Sequence, residues 1–362
     1  MVFPVSMESN LVEEVIIVGG GIAGLSCVNA LLDRGVSPLL LEGATIGTPK
    51  MCGEFLAPQT VSLLQQWDID FIQPIQQASF FAKNKKFNLH FQKPAGAISR
   101  SEVELSLAQR ARKKQGRIRE NSQIDKIIPA TKNSPYIFSL PNGEEIQARS
   151  VIFATGKFGQ QTKSFTPLPY FGIKIHFQHI ASPETLLMYS MKDAYFGIVP
   201  ISNQTSNCAC LVNRELIEKT GSCKQFFYDL VAGNSVLKSI FENIDITEID
   251  WFESRAPEFQ IKKIPTWPMA YWIGDALAGL HPAIGSGFAH GISSAIMAAE
   301  FYLQHDPEGY LKNSRKRVKS KWMIGKLMHQ LMLNPFFASG AFSLLELNPW
   351  MLNLFLKKLE YQ

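Results

Sequence analysis

A chain of 362 residues with 46% hydrophobic and 19% charged residues can bury a large core, which excludes a disordered or fibrous protein. The formal net charge of +5 is modest, and the main basic cluster, Arg315-Lys316-Arg317 with Lys319 and Lys321, has no interleaved aromatics, so no nucleic-acid partner is expected. Five cysteines without regular spacing point to a reducing compartment, and Cys208 and Cys210 form a C-x-C with no second pair, so no metal is expected.

Residues 1–10 read as a loose leader without a basic-then-apolar signal pattern, so a cytoplasmic protein is expected. Val15, Ile16, Ile17 and Val18 then read as a buried strand of a parallel sheet. Gly19-Gly20-Gly21-Ile22-Ala23-Gly24 follows as a GxGxxG turn. Gly19 suits the tight turn, Gly21 lets backbone approach a pyrophosphate, and Gly24 lets the helix pack close on the strand. Ile22, Leu25, Val28 and Leu32 keep helical spacing, and Arg34-Gly35 closes the helix. A second strand, Leu39-Leu40-Leu41, ends at Glu42, close to the spacing expected of an acid that binds a ribose diol. An acid there repels a 2′-phosphate, so the nucleotide is FAD or NAD and not NADP.

A proline-bounded loop from Pro49 to Pro58 sets Cys52, Gly53 and Glu54 side by side. Cys52 is either a reactive thiol or a small buried filler, with Lys50 the one neighbouring cation in sequence. Residues 60–95 suggest a short helix (Val61 to Trp67) and a hairpin of Ala78 to Phe81 and Phe87 to Phe91 around Lys83-Asn84-Lys85-Lys86. Ser101 and Glu104 have the spacing of a capping box, and Arg100 just before it is free to reach a ligand. A β-meander over 124–148 leads into an apolar strand ending at Ala154-Thr155-Gly156, a second place where backbone can approach a nucleotide.

From 164 to 265, aromatic-rich alternating strands predict a mostly antiparallel region, with a helix from Cys223 to Ile240. Tyr271-Trp272-Ile273 returns as a buried strand ending in Gly274-Asp275. His281-Pro282-Ala283-Ile284-Gly285-Ser286-Gly287 then opens a helix rich in small residues, which can lie against a flat ring and direct its N-terminus there. Residues 306–362 read as a helical tail with a break at Asn334-Pro335. Its polar residues argue against a membrane span and leave surface contact with lipid as a candidate.

In this order, the glycine turn, Cys52-Gly53-Glu54, Arg100, Ala154-Thr155-Gly156 and Gly274-Asp275…Pro282…Gly285-x-Gly287 resemble the FAD-dependent geranylgeranyl reductase-like group. That group lies within the p-hydroxybenzoate hydroxylase-type flavoprotein superfamily, and the resemblance spans roughly residues 13–305. It implies an α/β fold: a Rossmann-type FAD-binding domain (11–70, 96–160 and 266–305) interleaved with a mostly antiparallel substrate domain (71–95 and 161–265). A helical cap (306–362) would follow.

The same resemblance implies that Gly19, Gly21, Ile22, Ala23 and Gly24 hold the pyrophosphate and Glu42 the adenosine ribose. Arg100 would approach the phosphates and ribityl chain, Asp275 beside Gly274 a ribityl hydroxyl, and Ala154 and Gly156 the nucleotide. Gly285 and Gly287 would lie at the pyrimidine edge of the isoalloxazine, with Cys52 and Gly53 close to the flavin at the substrate pocket. Cys52, Glu54 and His281 are the candidate catalytic groups.

The chain departs from the group's pattern at Ala283-Ile284 and at His281. Ala154-Thr155-Gly156-Lys157 stands where many hydroxylases carry Asp-Gly, and the halogenase Trp-x-Trp-x-Ile-Pro signature is absent. No second GxGxxG follows a strand, so NAD(P)H is expected only as a transient electron donor. The expected activity is hydride transfer between FAD and an apolar small molecule, lipid- or polyketide-like, reducing or forming a C=C bond. A monooxygenase on the same fold, and a flavin-binding electron carrier docking through 306–362, are the alternatives.

Overall fold

The structure, a computed structural model, describes residues 12–348 and 350, except 71, 159–168, 179–181, 243, 245–248 and 257–258. The expected leader, residues 1–10, lies outside the described residues. In chain order the first elements are β1 (Val12–Val18), α1 (Ile22–Leu32), β2 (Leu39–Leu41), β3 (Phe55–Leu56) and α2 (Pro58–Gln65). Next come β4 (Gln73–Ala82), β5 (Lys85–Ala97), α3 (Arg100–Lys113), β6 (Arg117–Arg119), β7 (Lys126–Ile128), β8 (Tyr136–Ser139) and β9 (Glu145–Phe153). Then follow β10 (Tyr170–Phe177), β11 (Thr185–Met191), β12 (Ala194–Pro200), β13 (Ser206–Asn213), α4 (Arg214–Thr220), α5 (Cys223–Gly233) and α6 (Ser235–Phe241). The chain ends in β14 (Asp250–Ala256), β15 (Ala270–Trp272), α7 (Gly287–Leu303), α8 (Pro307–Met332) and α9 (Pro335–Leu347).

These strands form two sheets. In the first, β6, β2, β1, β9 and β15 run parallel, and β8 runs antiparallel between β9 and β7. Because successive strand residues face opposite sides, Val15 and Ile17 pack under α1 and α7, while Ile16 and Val18 pack under the meander and α8. Both faces are therefore covered, which is why β1 has no polar alternation from Val15 to Val18. The second sheet has the order β14-β10-β13-β12-β11-β4-β5-β3 and is antiparallel except for the β11–β4 pair. Its outer face is closed by α5 and α6 through Phe226, Phe227, Leu237 and Phe241. The fold class is the expected one: a mainly parallel sheet of Rossmann type covered by helices, interleaved with a mostly antiparallel sheet and followed by a helical C-terminal region.

Several boundaries differ from the sequence-based expectation for local reasons. Pro58 sits at the first turn of α2, where its fixed φ and missing N–H cost nothing, so that helix starts earlier than Val61. Asn234 adopts an extended conformation, and its side chain accepts from Leu237 N at 3.1 Å, so the expected Cys223–Ile240 helix is two helices. The Ser101–Glu104 capping box does not form: α3 begins at Arg100, and Glu104 turns inward to pair with Arg100 and Lys50. The break at Asn334-Pro335 is present, and no described helix is long and apolar enough to cross a membrane.

Candidate functional site

The carboxyl ends of β1, β2 and β9 meet at the glycine turn, the position where an open parallel sheet with helices on its faces leaves a crevice for a ligand. Gly19 has φ +107°, and a Cβ there would lie 2.5 Å from the Ala154 carbonyl oxygen. A Cβ on Gly24 would lie 1.8 Å from the Gly19 carbonyl oxygen, so α1 can sit this close to the turn only with glycine at that position. Ile22 is the buried first residue of α1, and Ala23 packs against Gly274 and Gly291. Gly21 ends the turn, and the nearest atom to a Cβ there would be Arg100 Nη2 at 3.4 Å. The open N-terminus of α1 therefore faces a guanidinium.

The Glu42 carboxylate lies across the turn, accepting from Gly20 N through Oε2 and from Ala44 N through Oε1 at 3.1 Å. It lines a cavity of about 260 Å³ that also touches Val18, Gly19, Gln123, Thr155 and Trp272. Ala154 N donates to the Val18 carbonyl at 2.8 Å, and the Gly156 carbonyl accepts from Lys262 Nζ at 2.9 Å. Asp275 sits in a single helical turn, Gly274–Ala276, where its charge acts on both Arg100 and Lys262. His290 Nε2 lies 3.0 Å from the Gly274 carbonyl oxygen and Ser294 Oγ accepts from Gly274 N at 2.9 Å, so α7 fixes this turn.

The proline-bounded loop runs over the same region. Glu54 is fully buried and holds a left-handed backbone, φ +57°, which is uncommon for a residue with a Cβ. Its Oε1 accepts from Lys174 Nζ at 2.5 Å and from Arg100 N at 3.0 Å, and its Oε2 lies 2.6 Å from His176 Nε2. Its own N–H donates to Cys52 Sγ at 3.3 Å, and its carbonyl accepts from Ile98 N at 3.1 Å. Burial alone would raise the Glu54 pKa, but the His176 hydrogen bond and the Lys174 charge outweigh it and hold the carboxyl below its ordinary value. Beside it a second cluster forms: Glu104, also fully buried, pairs with Arg100 Nε at 2.8 Å and Lys50 Nζ at 3.1 Å. Burial opposes the Arg100 charge, yet Glu104 outweighs burial and raises the Arg100 pKa.

Burial also raises the Cys52 thiol above its ordinary value, against the pull of Arg100, so the sulfur is held in its protonated form. The expectation that Lys50 alone would act on this thiol is corrected, because Lys50 is engaged with Glu104 and the cations that act are Arg100 and, more weakly, Lys174. Gly53 is exposed, with no atom within 4 Å of where its Cβ would be. Phe55 packs on Gly285, where a Cβ would lie 2.7 Å from the ring, so the loop and the turn before α7 touch. Ser286 follows as the N-terminal cap residue of α7, its buried Oγ without a partner, and Gly287 has open space where a Cβ would stand.

The structure thus brings Gly21, Cys52, Glu54, Arg100 and Gly285 to one region between the two sheets. His281 is not among them. Its ring is buried 4.9 Å from Phe259 and 4.7 Å from His329 by ring centroids, its Cβ lies by Gly325 of α8, and neither ring nitrogen has a partner. Burial, then the neighbouring His329 and Lys326, lower its pKa to about 4, so its ring is neutral. Sequence reasoning missed Lys174, His176 and Glu104. The signal was present for the first two: two polar residues at i and i+2 in the apolar strand Tyr170–Phe177 share one face.

The residues fit an adenine dinucleotide-type flavin. Gly19 and Gly24 leave no room for a side chain, Gly21 faces the Arg100 guanidinium, Gly287 keeps open space, and Ser286 Oγ is an orphaned polar atom beside the turn. The model of the lycopene cyclase protein family matches residues 14–181. No curated protein matches the sequence. Among solved structures, a triple mutant of the flavin-dependent brominase Bmp2 superposes with TM-score 0.79 at 17% identity, covering 94% of this chain and 93% of its own. A geranylgeranyl bacteriochlorophyll reductase-like protein from Thermoplasma acidophilum gives 0.72 at 18% identity, covering 90% and 89%. Pseudomonas aeruginosa PqsL in complex with 2-aminobenzoylacetate gives 0.77 at 12% identity, covering 92% and 100%. The chain therefore shares its fold with these proteins, among them a geranylgeranyl reductase-like one of the kind its motifs resemble.

Proposed function

We propose that this chain is an FAD-dependent oxidoreductase that transfers hydride between the flavin and an apolar substrate, reducing or forming a C=C bond. FAD supplies the hydride chemistry. The turn at Gly19–Gly24 with Arg100 holds the pyrophosphate, Glu42 the ribose diol, and Asp275 with Gly285 and Gly287 the ribityl and pyrimidine side. The observation that carries the reading is the buried Glu54–Lys174–His176 cluster beside Arg100, at the place where the Phe55 loop meets the Gly285 turn.

Reduction of a C=C bond needs a proton as well as a hydride, and these side chains can hold one. The Glu54 side chain is closed off, whereas that of His176 is 27% exposed, so His176 is the member a substrate can reach. Lys174 keeps Glu54 ionised, and Glu54 orients the His176 ring through Nε2. The raised Cys52 thiol acts as packing beside this cluster rather than as a nucleophile. Phe55 and Phe91, 5.9 Å apart by ring centroids where the loop meets the Gly285 turn, suit an apolar substrate class. NAD(P)H or a protein donor supplies electrons transiently.

A geranylgeranyl-bearing lipid is the first substrate to try, because a reductase-like structure shares the fold. Anaerobic incubation with dithionite-reduced enzyme should add two hydrogens to the lipid, read by mass. The second reading, a monooxygenase, is favoured by the higher TM-score of PqsL, 0.76 in a structure described as a probable FAD-dependent monooxygenase, against 0.72 for the reductase-like protein. Turnover that requires oxygen and leaves an oxygenated product would replace the first reading with the second.

A further inference from the structure

Of the large apolar side chains that are exposed among the described residues, most fall after residue 320. Within α9, Phe337, Gly340, Leu344 and Leu347 follow each other at helical spacing on one side, and all are exposed, as is Phe336 beside them. Leu347 is 80% exposed, and Trp350 just beyond is 65% exposed. The other side of α9 is anchored: Phe342 stacks on Phe87 at 5.8 Å and lies 6.0 Å from Phe80, and Ala338 is buried. The stripe is therefore the outward side of a helix fixed to β4 and β5, not one facing the core.

The cations around it carry the identity of the occupant. Lys83 Nζ sits 3.3 Å from the centroid of the Phe336 ring. Exposed Lys85 and Lys86 share its hairpin, and the β11–β12 turn carrying Lys192 is tied to the start of α9 by Asp193 N donating to the Leu333 carbonyl at 2.9 Å. Aromatic and aliphatic side chains on an outward helix stripe, rimmed by lysines, match the chemistry of a lipid surface: acyl chains for the rings, headgroup phosphates for the ammonium groups. Asp193 and Glu346 are the exposed acids beside the patch, against four lysines.

We propose that α9 with the Lys83–Lys86 hairpin is a docking surface for anionic membranes, on which the protein lies without crossing. The surface is independent of which reaction the site performs. The test is flotation of the full-length protein with vesicles of phosphatidylcholine alone or with phosphatidylglycerol. Wild type should float with the anionic vesicles, less so with the neutral ones, and less as salt rises. Phe336→Ser with Phe337→Ser should cut the bound fraction about tenfold, and Lys83→Gln with Lys85→Gln and Lys86→Gln should remove the preference for anionic lipid. The lysine variant changes only exposed side chains, so it keeps the test decisive if the phenylalanine variant folds poorly. Wild type that floats with neither vesicle, or a lysine variant that keeps the full anionic preference, overturns the proposal. So does a two-chain mass in solution that falls to one chain in the phenylalanine variant, which would assign the face to a second copy.

Discussion

Gly24 carries the tightest approach at the glycine turn. With its Cβ position 1.8 Å from the Gly19 carbonyl oxygen, Gly24→Ala must push α1 off the turn that FAD would use. The variant should lose bound flavin, read as visible absorbance retained after gel filtration, even where far-UV circular dichroism is unchanged. Glu54 and Lys174 make a second test. Removing one member of a buried ion pair leaves the other uncompensated, at a cost of about 3–5 kcal/mol. Lys174→Met should therefore lower Tm more than Lys174→Met combined with Glu54→Gln. His176→Gln should reduce turnover about 100-fold or more while leaving flavin content intact; equal turnover would remove His176 from proton transfer. These residues also mark the limit of what was legible. The glycines, Glu42 and Gly274-Asp275 are read from neighbours in sequence, because a turn constrains only its own few residues. Glu54 meets Lys174 across 120 positions, and that contact depends on how β10 sits over the loop. The alternation Lys174–His176 in an apolar strand was the one local sign of it.

At the scale of elements, α8 is held against the 281–284 turn by side chains that dislike charge. His281 and His329 lie 4.7 Å apart by centroids, and burial lowers both pKa values to about 4. His329 is bonded on both sides, Nδ1 to Tyr195 at 3.2 Å and Nε2 to Tyr170 at 3.0 Å. The folded values lie below the free value of 6.5, so the unfolded chain takes up protons first. Stability should fall as pH drops from about 6.5 to about 4, measured as Tm across that range. His281→Phe should flatten part of the slope, and an unchanged slope would mean that the ring is solvated. Further along, Asn334 caps α9 by accepting from Phe336 N at 3.0 Å, so Asn334→Ala should cost about 1 kcal/mol by chemical denaturation. That break was legible because Asn-Pro is a local signal. The division of 223–241 into two helices was not, because Asn234 is tolerated within a helical pattern and its cap is visible only in the backbone.

For the whole molecule, two sheets with their own cores meet over one loop. The first gathers the carboxyl ends of β1, β2 and β9, and the second contributes Lys174 and His176 from β10. Neither sheet holds the site alone: Glu54 lies between them, tied to α3 through Arg100 N and to β10 through Lys174 and His176. The order of motifs made this interleaving readable, since Ala154 and Gly274 follow β9 and β15, two of the strands by which the chain rejoins the first sheet after Glu42. Which side chains face each other across the interleaved sheets was not readable, because register and layer contacts are set by the packed pair of sheets rather than by either strand.

On the proposed function, these two sheets hold FAD at the Gly19–Gly24 turn. The visible spectrum of the purified protein, with identification of the nucleotide released on denaturation, decides this. An oxidised-flavin spectrum and FAD as the released nucleotide are expected, with both lost in Gly24→Ala. A protein that stays colourless after incubation with excess FAD, or that releases NAD in its place, would contradict it.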